Sequence, residues 1–391
     1  NRHLKGIDPH AVNRRFVALT RFTSHIEPTS WNCDECFHRD DHGTESLSVW
    51  NPTGVLREGW YDQKRLCEPR TSMMRFDTKS GFIPLCQGAV ILAIVVSSGC
   101  SVKSMAVNAL SETLSDGADI YASDEDPQLV REALPFNLKT LETLLESSPD
   151  HPGLLLNACS TFTIYAALFI QPDAEVAEWE DFDYATAETA DRRALNMYVR
   201  ARDYCLRRVE VNYVGLSETL RLDPERAVAT FRVDDVETIY WLAGSWGFAI
   251  SLGLDNPELA ADLPVVRALL GRALALDEGY NRGALHSASI ALESVPELLG
   301  GSSSRARVHF ERAVELSDGL DASPYLALAT GVSLAAQDRA EFESLLGSAL
   351  AVDPETDISL RLVNLVNQKR ARLLLDHVDE LFEEPIREEE H

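Results

Sequence analysis

The stretch Asp235–Glu278, DVETIYWLAGSWGFAISLGLDNPELAADLPVVRALLGRALALDE, decides the fold class. Its apolar or small side chains recur every three or four residues, first at Val236, Tyr240, Ala243, Gly247 and Ile250, then at Val266, Leu269, Ala273 and Leu276. This period places them on one face of each of two helices, and each face needs a neighbour that buries it. Because no β-branched alternation interrupts the pattern, the stretch predicts paired helices without a sheet.

The same period extends on both sides of this stretch, from about Asp126 almost to the end of the chain. Helix endings also recur, as ALALDE, AVELSD and ALAVDP, which begin 40 and then 36 residues apart. The spacing is close to the roughly 34 residues of tetratricopeptide (TPR) units. We therefore predict an all-α, TPR-like helical repeat array, an α-solenoid of helix hairpins, over residues 126–383, followed by a charged tail at 384–391. The small residues predicted to allow close helix contacts are Gly244, Gly247, Gly331 and Ala349.

The charge of the chain is unevenly distributed. The net charge is -26, and residues 100–391 carry 24 basic against 51 acidic side chains. Such a surface repels phosphate backbones, which argues against a nucleic-acid partner. Cys159 and Cys205 lie at apolar helical positions, and we expect them to be core residues rather than a bridge.

An export signal is predicted upstream of the helical region. The apolar run Phe82–Val96 has 15 residues, fewer than the roughly 20 of a membrane span, and follows the basic segment 73–79. Gly99-Cys100 then resembles a lipobox, although Ser97 stands where Leu or Val is usual. We predict a lipoprotein signal peptide at 74–99, acylation of Cys100 and a tether at 100–125. An ordinary signal peptide or a single anchor helix is the alternative.

Residues 1–73 are expected to lie outside the fold, as translated upstream sequence or a disordered segment. They are rich in Trp, His, Arg and Cys but show no sustained helical or strand period. Cys33 and Cys36, with His38 and His42, offer a zinc module as the alternative. A second ligand pair at proper spacing is missing, so we predict no metal site.

Long segments from Cys100 to about Phe382 carry a resemblance to a known family. Examples are GCSVKSMAVNALSETLS, DPQLVREALPFNLKTLETLLESSPDHPGLLLNACSTFTIYA and YVRARDYCLRRVE, in this order. They resemble the TRAP-transporter-associated TPR lipoproteins, called TatT. The resemblance implies a periplasm-facing lipoprotein that associates with the solute-binding protein of a tripartite ATP-independent periplasmic (TRAP) transporter. It also implies a homo-oligomer, commonly a trimer, and a hydrophobic or carboxylate ligand.

Aromatic residues are the candidate ligand- or partner-binding positions. Tyr240, Trp241 and Trp246 lie on two faces of one predicted helix, so one face should pack inward and the other meet a cavity or a partner. Phe162 and Tyr165, three residues apart, could likewise pack inward or contact a cavity or a partner. Core packing is the plainer interpretation of all five. Arginines at 200, 202, 207 and 208 form a basic cluster that could contact carboxylates, or simply pair with acidic neighbours.

No catalytic motif accompanies these residues. The HExxH, GxSxG, GxGxxG and Walker patterns do not occur, and the histidines beyond Cys100 lack ligand spacing. We therefore predict a non-enzymatic protein without a cofactor. Its location should be the bacterial envelope, and Ser101 after the cysteine favours the outer over the inner membrane. The alternative function is a structural TPR scaffold for envelope complexes that binds no small molecule.

Overall fold

A computed structural model describes residues 107–111, 117, 119–254 and 256–382. Helices and turns make up these ranges, and no strand occurs in them. The prediction of an all-α fold is therefore confirmed. The predicted upstream segment at 1–73, signal peptide at 74–99, acylation site Cys100, much of the tether and the tail at 384–391 lie outside the described residues.

From Pro127 onward, fifteen α-helices follow one another, and the described residues 107–111 and 119–122 before them are also helical. In order they are α1 Pro127–Ser147, α2 Pro152–Tyr165, α3 Gln171–Trp179, α4 Tyr184–Asn212, α5 Leu216–Leu222, α6 Pro224–Val228, α7 Val236–Leu252, α8 Pro257–Ala260, α9 Leu263–Leu276, α10 Ala284–Glu293, α11 Ser303–Leu316, α12 Ser323–Leu328, α13 Arg339–Ala351, α14 Arg361–Asp376 and α15 Val378–Leu381. Turns of π-helix occupy Ala166–Ile170 and Ala329–Ser333, and 3-10 turns occupy Val233–Asp235, Tyr280–Gly283, Glu297–Leu299 and Ile358–Leu360.

Several helices begin where the sequence supplies a cap. The Asp126 carboxylate accepts hydrogen bonds from the backbone N–H groups of Gln128 and Leu129, at 3.0 and 3.2 Å. Pro127 then fills the first helical position, where no N–H is needed. Asp223-Pro224 repeats this arrangement at the start of α6. These two Asp-Pro pairs therefore begin helices, whereas Asp353-Pro354 is followed by a turn.

Two hydrophobic cores organise the array. The N-terminal core is formed mainly by α1–α9, and its fully buried side chains include Trp246, Tyr198 and Phe231. The C-terminal core is formed mainly by α10–α15 around Phe342 and Leu346, and Trp179 of α3 also belongs to it. Most positions predicted from the apolar period are thus buried by neighbouring helices, but Tyr240 and Gly247 of α7 are only half-buried.

The last long helix joins these two cores and returns to the start of the array. In α14, Leu362 and Val366 pack in the N-terminal core, whereas Leu373 and Leu374 pack in the C-terminal core. Arg361 donates from Nη1 to the backbone oxygen of Ser123 at 2.8 Å. In the middle of the helix, Arg370 pairs with Glu175 of α3, with an Nη2–Oε1 distance of 2.5 Å. The first contact joins residues 238 positions apart and the second joins residues 195 positions apart.

The two cysteines of the helical domain form a disulfide, contrary to our expectation. Cys159 of α2 and Cys205 of α4 are bonded, with their Cα atoms 5.4 Å apart. Both are fully buried, so the prediction of a core position is confirmed and the preference against a bridge is wrong. The reason is tertiary, because the apolar stripes of α2 and α4 pack face to face and bring the two positions together.

The predicted close helix contacts differ from one position to another. A Cβ atom at Gly331 would lie 2.7 Å from the Cβ atom of Ser294, so glycine is needed there. At Gly247 it would make an ordinary 3.6 Å contact with Val266, and at Gly244 nothing lies within 4 Å. Ala349 is fully buried. The expectation therefore holds for Gly331 and Ala349 and is wrong for Gly244.

One helical stretch passes a composition test for a membrane span. Residues Pro152–Trp179, which include α2 and α3, have a mean hydropathy of 1.7 over an 18-residue window. Over half of this window, 56%, is buried inside the fold. A buried core helix passes the same test, and the disulfide to α4 indicates that α2 is such a helix.

Candidate functional site

Trp246 of α7 belongs to the N-terminal core. Its ring is fully buried, and its Nε1 donates a hydrogen bond to Asp262 Oδ2 at 3.1 Å. The guanidinium carbons of Arg202 and Arg221 lie 5.4 and 5.6 Å from its ring centroid, within cation–π range. The sequence predicted that one aromatic face of this helix packs inward without saying which, and Trp246 lies on that face.

Tyr240 and Trp241 occupy a different, half-buried face of α7. Their ring centroids are 4.9 Å apart in an edge-on arrangement. Tyr280, in the 3-10 turn after α9, adds a third ring 5.5 Å from that of Tyr240. We name these three residues the α7 aromatic cluster. It offers a partly accessible apolar surface within a helix that is otherwise mostly buried.

Carboxyl groups set the electrostatics of the α7 aromatic cluster. Burial raises the pKa of Asp321 and that of Glu237 above their usual values. Burial, with a smaller contribution from the Asp321 charge, raises the pKa of Tyr240 to about 12. The pKa of Tyr280 is raised by burial and then by Glu237. Both phenols therefore stay protonated and can donate hydrogen bonds at neutral pH, while an added negative charge is disfavoured.

Phe162 and Tyr165 are core residues at the interface of α2 and α4. Phe162 stacks on Tyr204 with ring centroids 5.8 Å apart, and the Arg200 guanidinium carbon lies 5.3 Å from its centroid. Tyr165 is 5.9 Å from the guanidinium carbon of Arg193. Since both rings are at most 5% exposed, a ligand would reach them only through the arginines and Tyr204 that cover them.

A groove beside these rings lies between α1 and α4. Its main cavity has a volume of about 500 Å³ and is lined by Lys139, Glu142, Thr143, Leu145, Glu146, Pro149, Tyr204 and Arg207. The Tyr204 hydroxyl donates to Glu142 Oε1 at 3.1 Å, and Arg200 pairs with the same oxygen at 3.2 Å. This groove, which we name the α4 groove, is polar and carries both signs of charge.

The four arginines of α4 do not form one cluster. Arg200 and Arg207 line the α4 groove, and Arg207 donates to the Pro149 backbone oxygen at 2.6 Å. Arg202 instead turns inward to Trp246 and pairs with Asp203 at 2.8 Å. Residues seven positions apart share a helix face, whereas Arg202 points elsewhere. The predicted pairing with acidic neighbours is confirmed for Arg200 and Arg202.

Several site residues carry no clear signal in the sequence. Tyr280 joins the α7 aromatic cluster from a distant segment, the Asp321 charge acts on Tyr240, and Tyr204 covers Phe162 from α4. A metal centre is not indicated, since no group of three or more His, Cys, Asp or Glu side chains could hold an ion in the described ranges. The sequence did identify the aromatic positions on α2 and α7, but it could not show which of them would be accessible.

The fold and these surfaces define an all-α helical array whose accessible features suit binding. Residues 123–382 match the family described as TRAP transporter T-component (TAtT). The chain belongs to this family, as its resemblance to the TatT lipoproteins predicted. It is also similar to an uncharacterized protein of Treponema pallidum (strain Nichols), with 28% identity over 307 residues that cover 74% of this chain and 94% of that protein.

Proposed function

We propose that the protein is a lipid-anchored, periplasm-facing component that binds the solute-binding protein of a TRAP transporter. Membership in the T-component family places it with such a transporter in the bacterial envelope. The finer statement, that the solute-binding protein is its direct partner, is our inference. The lipid anchor would be Cys100, with the outer membrane as the favoured location. The subunits would assemble as a homo-oligomer, a trimer being the state implied by the resemblance.

The α7 aromatic cluster is the observation that carries the proposal. Tyr240 and Trp241 are half-buried on a helix whose other large side chains are mostly in the core. Large aromatic side chains at accessible positions are the residue types that dominate binding interfaces and ligand pockets. We therefore assign the partner-binding or ligand-binding role to this face rather than to Trp246, Phe162 or Tyr165, which are buried.

The chemistry of this face favours an apolar ligand over a charged carboxylate. A carboxylate would approach Asp321 and Glu237, whose raised pKa values already reflect the cost of negative charge there. An apolar ligand could instead pack on the rings of Tyr240, Trp241 and Tyr280 while a polar group accepts a hydrogen bond from a phenol. Of the two ligand classes predicted from the resemblance, we propose the hydrophobic one.

The disulfide supports a location outside the cytoplasm. Disulfides persist in oxidising compartments such as the bacterial periplasm and are rare in the cytosol. Cys159–Cys205 joins two core helices of the domain, which fits a protein that folds after export. This agrees with the predicted signal peptide and lipobox.

Capture of the partner tests the proposal. The acylated protein would be purified from envelope membranes in mild detergent, and co-purifying proteins and ligands would be identified by mass spectrometry. We expect a TRAP solute-binding protein among them, and we expect Trp241→Ala to reduce its recovery at least tenfold. Phe136→Ala is the matched control, because Phe136 is an aromatic residue of α1 that is 80% exposed and outside the cluster.

The structural scaffold is the competing function, and the same experiment separates the two. Recovery of envelope-assembly proteins without a solute-binding protein or small molecule would support the scaffold and contradict our proposal. Equal loss of partner in Trp241→Ala and Phe136→Ala would contradict the assignment to the α7 aromatic cluster.

A further inference from the structure

Three loops meet at one end of the N-terminal helices. Residues 148–151 connect α1 and α2, and residues 213–215 connect α4 and α5; the turn Val233–Asp235 precedes α7. Arg207 near the end of α4 donates to the Pro149 oxygen at 2.6 Å, which ties the first loop to the last turns of α4. Tyr213 donates to Asp235 Oδ2 at 2.5 Å, which joins the second loop to the turn. We name this region the tether end.

The segment that follows Cys100 is fixed to the same region. Val107 is buried against the cluster that the α1 and α2 side chains form there, and Tyr204 of α4 packs on that cluster. Next to it, the Asn108 Oδ1 and His151 Nε2 atoms are 2.9 Å apart, within hydrogen-bond distance. The chain is therefore docked on the fold only seven residues after the expected anchor.

The covalent length of this connection limits how far the domain can stand from a membrane. Seven residues span at most roughly 24 Å even when fully extended. That is less than the roughly 30 Å of a bilayer's hydrocarbon core. With acylated Cys100 as the anchor, the tether end is thus held close to the lipid surface.

The side chains at the tether end suit a lipid interface. Val214 is 93% exposed at the tip of its loop, where Gly215 adopts a left-handed φ of 79°, and Val233 is also exposed. Arg207, Arg208 and Arg232 flank these two valines along the chain. Apolar tips beside arginines are the arrangement found where a protein enters the headgroup region, since the guanidinium groups can meet lipid phosphates.

Carboxylates at this end are partly engaged within the fold. Glu210 accepts hydrogen bonds from the backbone N–H groups of Gly215 and Ser217, at 2.6 and 2.7 Å. Asp235 accepts from Tyr213 and from the Arg232 backbone at 2.9 Å. Asp150, Asp234 and Glu237 are exposed at the same end, so acidic side chains accompany the three arginines there as in the rest of the domain.

We propose that the tether end rests on the membrane surface, with Val214 and Val233 in the headgroup region and the three arginines on lipid phosphates. The inference shares with the proposed function only the acylated anchor Cys100. It fixes which end of the helices faces the lipid, and so gives the anchored domain one orientation instead of free rotation on a flexible linker.

Tryptophan quenching by brominated lipids tests this orientation. The full-length protein would be anchored in vesicles of phosphatidylethanolamine and phosphatidylglycerol whose acyl chains carry bromine. We expect the added emission of Val214→Trp to be quenched at least twofold relative to Leu298→Trp, each measured against the parent protein. Leu298 is a matched control because it is also an exposed apolar residue, with 70% of its surface accessible. It follows α10 at the opposite end of the helices, since Glu293 at the end of α10 pairs with Arg267 near the start of α9. Equal quenching at the two positions would overturn the proposal.

A charge variant tests the role of the arginines. Each basic residue near an anionic surface contributes about 1 kcal/mol, or roughly fivefold in membrane partition. Arg208→Gln with Arg232→Gln, introduced into the Val214→Trp protein, should therefore reduce the quenching clearly. Arg192→Gln, near the opposite end of α4, should leave it unchanged. Identical quenching in both would refute the phosphate contacts. Recovery of the solute-binding protein in detergent is independent of this result, so the two proposals can fail separately.

Discussion

The N-terminal and C-terminal cores are both helical, but different interactions hold them together. The N-terminal core has the 29-residue helix α4, a disulfide, and fully buried large side chains such as Trp246 and Tyr198. In the C-terminal half, shorter helices are joined by ion pairs. Buried Glu293 there binds Arg267 and Arg305, at 2.7 and 2.5 Å. The comparison suggests that the first core is stabilised mainly by apolar burial and a covalent bond, and the second is more sensitive to pH and salt.

The largest expected effect is in the N-terminal core. Trp246→Ala should lower the free energy of unfolding by about 4 kcal/mol, because it removes a fully buried ring and leaves Asp262 without its indole donor. Urea unfolding followed by circular dichroism would measure the change. Trp241→Ala, at a half-buried position of the same helix, should cost clearly less. Equal losses in the two variants would contradict the division of α7 into a core face and an accessible face.

Loss of the disulfide should be the next largest effect. Replacing both Cys159 and Cys205 by alanine should destabilise the protein by about 3 kcal/mol, since the bridge restricts a loop of the unfolded chain. The free energy of unfolding of this double variant can be compared with that of the parent protein in oxidising and in reducing buffer. If the reductant destabilises both proteins equally, the bridge does not contribute to the N-terminal core as we describe.

The ion pair at the junction of the two cores tests whether they unfold together. Glu175→Gln should cost about 2 kcal/mol, because it leaves the partly buried Arg370 guanidinium without its countercharge. Calorimetry should then show a broader transition or two transitions. Asp173→Asn is the matched control, since its pair with Arg131 is more exposed and should contribute at most about 1 kcal/mol. An unchanged single transition in Glu175→Gln would show that α14 couples the cores by apolar packing alone.

The smallest expected effect is a pH dependence in the C-terminal half. His286 and His309 approach with their Nδ1 atoms 2.8 Å apart, beside Glu278 and Arg312. Burial lowers the pKa of both histidines, so the unfolded chain binds protons more readily than the folded one. This part of the stability is fully present above the unfolded pKa of about 6.5 and is lost as the pH falls below it.

The expected size of this loss is about 1 kcal/mol between pH 7.5 and 5.5. Urea unfolding at a series of pH values would measure it. The double variant His286→Asn and His309→Asn should be less sensitive over the same range. If its pH profile matches that of the parent, the histidine pair is not the source.

The sequence predicted the all-α class well, because apolar side chains recur with a period of about 3.6 residues in the long helices. It could not predict which distant segments meet. Tyr280 reaches Tyr240 through a turn in which Asn281, Arg282 and Gly283 all have positive φ values of 41°, 55° and 87°. Two of these are not glycine, so local propensity gives no warning of the turn. Gly283 is needed there, since a Cβ atom would lie 3.0 Å from the Leu316 Cβ.

The sequence could not predict the disulfide, or which aromatic residues are buried and which are accessible, for the same reason. Cys159 and Cys205 resemble ordinary apolar helix positions, and only the packing of α2 on α4 brings them together. Likewise, Trp241 and Trp246 differ by five positions on one helix, and their different burial depends on what α4 and α9 place against each face. Composition and period are local properties, whereas these features depend on tertiary contacts.

The return of α14 to the beginning of the array has a consequence for biogenesis. Synthesis proceeds from the N-terminus, and domains begin to fold as they emerge. Here the N-terminal core lacks Leu362 and Val366, and Ser123 lacks its arginine donor, until the chain is nearly complete. A truncated product that ends before Arg361 would expose the apolar surface that α14 covers, which is the kind of surface that envelope proteases and chaperones recognise. Completion of α14 would thus act as a quality check on each new molecule.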